Sequence, residues 1–316
     1  MTQDAKSRAH LVERAAGLIS RHPPESLLGQ GQSQGHSQGH GPGQGPGPGQ
    51  GHGQGAEWER PRPPPVSSVT ALLAVPPDTP IPLVALTAAG LLPSEPSRRP
   101  GRAQEEIAVV QHQILRGVDG ADQRRIILVA SALPREGRSF IALNLAAGIA
   151  TAGARPVLLV DADGSGAGMS SKMGIEGRRG LRDLVAEPRQ RGAEMILPTA
   201  LERLFVLPLG MGGNTGATPG GTLADAVLRL AAALPHYVIL LDAPPCLSAS
   251  EASALSAVAG QVVLVVNAQR TARNEVEAAL DLLESCPVLQ LLLNRVRLHG
   301  SDRFGAHHDE GRSHAH

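Results

Sequence analysis

Six short apolar runs, each separated from the next by a segment of helical period, leave this chain few architectures to choose from. They fall at 126–131, 156–161, 204–207, 237–242, 261–266 and 288–293 and consist largely of Val, Ile and Leu. Helical patterns lie between them at 139–152, 222–234, 251–258 and 271–285. Strands that are apolar on both faces need cover on both faces, and helices joining consecutive strands through right-handed crossovers supply it. The pattern predicts an α/β fold with a doubly wound, mostly parallel sheet over 104–298. A stretch of roughly 190 residues buries about 70% of the surface its unfolded chain exposes, enough for an independent domain. A further helix opens this region, with Ile107, Val110, Ile114 and Leu115 on one face.

The remainder reads differently. Residues 1–22 predict an N-terminal amphipathic helix, in which Leu11, Val12, Ala15, Ala16, Leu18 and Ile19 recur at helical spacing until Pro23 and Pro24 stop it. The segment 23–103 reads as a disordered linker. Its stretch 29–56 is almost wholly Gly, Gln, His, Pro and Ser, too poor in apolar area to offset the entropy of ordering, and prolines dominate from Arg60 to Pro82. Apolar pieces at 69–75 and 83–92 are the parts suited to docking on the domain that follows. Residues 299–316 form a His-rich tail without tyrosine.

Composition narrows the chemistry. The 316 residues carry 29 basic and 29 acidic side chains, and over 104–298 the count is 18 basic against 19 acidic, which offers no cationic footprint for nucleic acid. Only Lys6 and Lys172 are lysines, and Tyr237 is the sole tyrosine. Cys246 and Cys286 lack the spacing of a metal or disulfide site and read as reduced thiols. No signal-peptide core or spanning helix is present, so a cytoplasmic protein is expected, reaching the inner membrane only through a partner.

The first strand runs into Ala132-Leu133-Pro134-Arg135-Glu136-Gly137-Arg138-Ser139 and then a helix beginning near Phe140. A strand, a tight turn and a helix N-terminus bring free backbone N–H groups and the helix dipole to one point, where phosphate would rest. The run 156–161 ends on Asp161 with Asp163 just beyond, and the run 237–242 ends on Asp242. Carboxyl ends of parallel neighbours share one edge, so three aspartates and Ser139 are expected around one ion-sized gap suited to Mg²⁺. A cap for the following helix is the alternative reading for any one of them.

The order of these segments resembles the bacterial P-loop tyrosine kinases, and within them the exosortase-associated tyrosine autokinases of exopolysaccharide systems. The likeness runs from Leu11-Val12-Glu13-Arg14 through Ala88-Ala89-Gly90-Leu91-Leu92, Ser131-Ala132-Leu133-Pro134, Asp161-Ala162-Asp163, Asp242-Ala243-Pro244-Pro245 and Arg270-Thr271 to Leu293-Asn294. It implies a P-loop fold, ATP with Mg²⁺, a membrane protein that sets polysaccharide chain length as partner, and a homo-oligomer. By the same resemblance Ser139, Asp161 and Asp242 would hold the metal. Asp161, Asp163 and Arg138 would act in catalysis, and Pro134, Glu136, Gly137, Arg138, Ser139 and Phe140 would line the nucleotide, with Asn294 toward adenine.

Departures fall on the chemistry. Arg138 stands where the family has the phosphate-loop lysine, Arg135 where it has a glycine, and the tail lacks the family's tyrosine cluster. Arginine is longer, planar and differently hydrated than lysine, so nucleotide binding is expected to outlast phosphoryl transfer. Three functions stay open: a regulatory relative of the kinases; an active ATPase or a kinase acting on another protein's tyrosine; and a positioning ATPase of the partition type.

Overall fold

The computed structural model describes residues 79–93, 101–118, 125–153, 155–166, 168–189, 192–211 and 220–296. The expected 1–22 helix, most of the linker and the 299–316 tail lie outside the described residues. Within them the order is α1 (Leu83–Ala88), α2 (Arg102–Val118), β1 (Ile126–Ser131), α3 (Arg138–Ala152), β2 (Val157–Asp161), α4 (Met169–Lys172) and α5 (Leu181–Ala186). A 3-10 turn at Gly192–Met195 leads to β3 (Leu197–Pro198) and β4 (Leu204–Leu207), then α6 (Gly220–Ala233), β5 (Val238–Asp242), α7 (Glu251–Ser256), β6 (Gln261–Asn267), α8 (Arg273–Leu282) and β7 (Leu289–Asn294).

All seven strands form one sheet in the order β3-β4-β2-β5-β1-β6-β7, parallel except where β3 runs against β4. The doubly wound fold is thus the observed one. Side chains alternate across a strand, and this splits the core in two. Leu128, Leu158, Leu241 and Leu264 point to the face covered by α5 to α8, while Ile127, Leu159, Leu240 and Val263 point to the face covered by α1, α2 and α3.

The folded body takes in more than 104–298. Ile81 and Leu86 are fully buried, and the Ile81 amide donates to the Pro198 carbonyl at 2.9 Å while the Ala200 amide donates to the Ile81 carbonyl at 2.8 Å. This strap caps the sheet edge at β3, whose backbone groups would otherwise be open. Beyond α1, Asn144 of α3 accepts from the Leu92 amide (2.8 Å) and donates to the Gly90 carbonyl (2.9 Å). The linker reading of 23–103 therefore needs correction over 79–93, where buried apolar side chains and paired backbone override a proline-rich composition.

Topology positions the site. β5 lies between β1 and β2, and Asp161 and Asp242 are register partners at the carboxyl ends of β2 and β5. The turn leaving β1 enters α3 on the other flank of Asp242. Tyr237 sits at the opposite end of the sheet, its ring 5.7 Å from that of Phe205, in the packing role its place before a core strand predicts. Cys246 and Cys286 are buried free thiols. No helix among the described residues is long and apolar enough to cross a membrane.

Candidate nucleotide-phosphate site

The turn between β1 and α3 is held by its own glutamate. Glu136 is buried and accepts from the Leu133 amide (2.8 Å), the Asn267 amide (3.1 Å) and the Thr271 hydroxyl, which ties the turn to the end of β6. From the far side the Asn294 amide group donates to the Glu136 carbonyl at 2.8 Å. Gly137 has φ +99°, and a Cβ there would run into the Asn294 amide nitrogen, so two constraints demand glycine. Arg135 has φ +65°, a left-handed conformation that costs an arginine roughly 1 kcal/mol. Arg135→Gly is expected to raise stability by about 0.5–1 kcal/mol in urea denaturation. An unchanged or lower midpoint would mean that the exposed side chain compensates elsewhere.

α3 starts at Arg138 with no side-chain cap, so no capping side chain takes up its first-turn amides. The Arg138 side chain goes inward. It is 7% exposed; Nε donates to Asp242 Oδ1 at 2.8 Å, Nη2 donates to Asp163 Oδ2, and Nη1 lies 3.4 Å from Ser131 Oγ. Burial alone would loosen the proton on this guanidinium, but the Asp242 and Asp163 charges outweigh it and push the arginine's pKa up. Asp242, fully buried, is itself raised above the ordinary carboxyl range by desolvation, against the opposing pull of Arg138 and the nearby Ser139 hydroxyl. Its Oδ2 is the one buried side-chain oxygen or nitrogen among the described residues without a hydrogen-bond partner.

Asp161 is occupied otherwise. Oδ2 accepts from the Ser170 amide (2.7 Å) and hydroxyl (2.6 Å) at the start of α4, and Oδ1 accepts from the Asp163 amide at 3.0 Å. Burial, followed by the Asp242 charge, pushes this carboxyl up to about 6. Asp163 completes the group by accepting from the Ser165 amide at 3.0 Å.

The edge thus brings together Ser139, Asp161, Asp163 and Asp242, as the parallel topology requires. It does not leave an ion-sized gap between them. The Arg138 guanidinium lies between Asp163 and Asp242, Asp161 is spent on Ser170 and its own loop, and no group of three His, Cys, Asp or Glu side chains among the described residues is arranged to hold a metal. As arranged, the residues do not fit Mg²⁺. Asn294, expected toward adenine, latches the turn through its amide. Phe140 packs under the strap, where Gly90 approaches its ring, so only its backbone faces the turn. Pro134 is exposed at the rim. Sequence reasoning missed Ser170, Asn267 and Thr271; of these only Thr271 stood in a segment already singled out.

No family model matches the chain. The tyrosine-protein kinase CpsD of Streptococcus agalactiae is 29% identical over 180 residues, 55% of this chain and 76% of CpsD. The chromosome-partitioning ATPase Soj of Thermus thermophilus is 36% identical over 165 residues, 52% of this chain and 63% of Soj. EpsB of Ralstonia nicotianae is 28% identical over 168 residues, and there the chain spans only 21% of the relative's length. Among solved structures, the chimerical protein CapA2B2 matches with a TM-score of 0.52 at 26% identity, over 63% of this chain and 87% of that one. The kinase domain of Escherichia coli tyrosine kinase ETK matches with a TM-score of 0.53 at 20% identity, over 68% and 92%, a likeness of fold.

Proposed function

The chain belongs to the bacterial tyrosine-kinase family of P-loop proteins, and from that premise we propose that it is a nucleotide-binding regulatory relative of those kinases. In this reading it serves exopolysaccharide biosynthesis and export by engaging a membrane chain-length determinant. The nucleotide's phosphates rest on the backbone amides of Glu136, Gly137, Arg138 and Ser139. The observation that carries the reading is the contrast within one turn. The turn is braced through Glu136 and Asn294 and its helix start is uncapped, whereas the cation that phosphoryl transfer needs at the reacting phosphate is turned away into two carboxylates. Positioning and charge supply most of the catalysis of phosphoryl transfer, so a cation displaced by about 1 Å costs roughly 10²-fold.

Isothermal titration with ATP and ADP, beside transfer of ³²P from labelled ATP to protein, tests this. Binding with background transfer is the expected result. Absence of any nucleotide binding, together with failure to copurify with the polysaccharide machinery, would falsify it. Labelling of a tyrosine on another protein that disappears in Asp161→Ala selects the active kinase instead. A positioning ATPase is the second reading, favoured by the 36% identity to Soj; ATP hydrolysis without protein labelling selects it.

A further inference from the structure

The geometry points to Arg138 as the resident cation of this site: its guanidinium takes the place between Asp163 and Asp242 that a divalent ion would need, so no Mg²⁺ is recruited there. Two observations converge. The arginine's Nε and Nη2 are committed to carboxylates delivered by two different strands, and its Nη1 lies by Ser131 at the end of a third. The remaining carboxylate of the edge, Asp161, has both oxygens bonded to Ser170 and to the Asp163 amide.

The chemistry of the two cations separates them. Mg²⁺ demands near-octahedral oxygen ligands at about 2.0–2.1 Å and parts with its waters reluctantly. A guanidinium is planar, cannot lose its charge, and binds carboxylates through directed N–H donors. The two cannot share the space beside Asp242. With Arg138 in place, the chain neutralises its own carboxylates; without it, those carboxylates become a buried pair in need of a cation. This inference uses the nucleotide reading only to identify the turn as a phosphate loop. The cation assignment itself stands on the side chains.

Thermal melts of the full chain without nucleotide, in EDTA and in millimolar MgCl₂ at matched ionic strength, decide the matter. The wild type is expected to move by less than about 1 °C between the two. Arg138→Ala is expected to melt lower in EDTA and to regain about 3 °C or more in MgCl₂, with Asp242→Asn in the same background abolishing the gain. A wild type stabilised by Mg²⁺ through Asp242 overturns the assignment, as does a folded Arg138→Ala that ignores Mg²⁺. Should Arg138→Ala fold in neither buffer, Arg138→Gln decides: it removes the charge while keeping a polar head of similar reach, and indifference of its melting to Mg²⁺ overturns the proposal. Because no nucleotide is present, failure of ATP to bind leaves this result standing, and the reverse holds too.

Discussion

Glu136→Ala is expected to lose about 3–5 kcal/mol of unfolding free energy, because it strands three donors in the interior at once. Its side chain is 2% exposed and accepts from the Leu133 and Asn267 amides and the Thr271 hydroxyl. Each donor left without an acceptor costs about 1–3 kcal/mol, and water cannot easily replace a carboxylate in so closed a position. Glu136→Gln keeps one acceptor oxygen and turns the other into a donor facing donors, so it is expected to fall between the two, near 2 kcal/mol. Urea denaturation of the three proteins reads the order directly. The result also separates two roles for this residue: a side chain that served bound phosphate would leave the free protein's stability almost untouched, whereas a brace for the turn lowers it.

The second large effect concerns pH. The Asp161 carboxyl sits at about 6 in the folded protein against an ordinary 3.8, so the native state holds this proton more tightly than the unfolded chain does. Its contribution to stability is therefore complete below about pH 4 and is lost as the pH rises through about 6. A separation of roughly two pH units corresponds to about 3 kcal/mol. Burial is the leading cause and the neighbouring Asp242 charge the next, with the Ser170 and Asp163 donors working the other way. Asp242 is displaced in the same direction and adds to the slope. Asp161→Asn should flatten the fall in the urea midpoint across this window while leaving the Asp242 share. An identical pH profile in both proteins would show that Asp161 titrates like an exposed carboxyl.

Much of the scaffold was readable before any coordinates. The runs at 126–131 and 204–207 match β1 and β4 residue for residue, because a strand covered on both faces writes itself as a nearly continuous apolar run. The helix expected over 271–285 instead spans Arg273–Leu282, since Glu275 accepts from the Ala272 amide at 2.7 Å and sets the start. β3 escaped notice for a different reason: two residues, one of them Pro198, carry no periodicity, and only Val206 and Phe205 opposite give them meaning. Of the strap at 79–93, the apolar part 83–92 was readable as a docking piece, and only the approach through Ile81 was hidden by prolines that mark an extended chain wherever they occur. At the site the four polar residues could be placed on one edge from strand order alone. The direction in which Arg138 leans could not, because it follows from carboxylates 25 and 104 residues away. Nor could the bonds of Asp161 to Ser170, which depend on a four-residue helix behind a glycine-rich stretch.

The clamp made by Asn144 has a mechanical meaning. Gly90 and Leu92 are pinned to the same helix that opens at Arg138, one turn from Phe140 against which Gly90 rests. Any load drawn along the chain ahead of residue 79 is taken up first at Ile81 on the sheet's rim and next by that helix. Whatever grips the upstream segment thus holds a handle on the turn that would cradle phosphate.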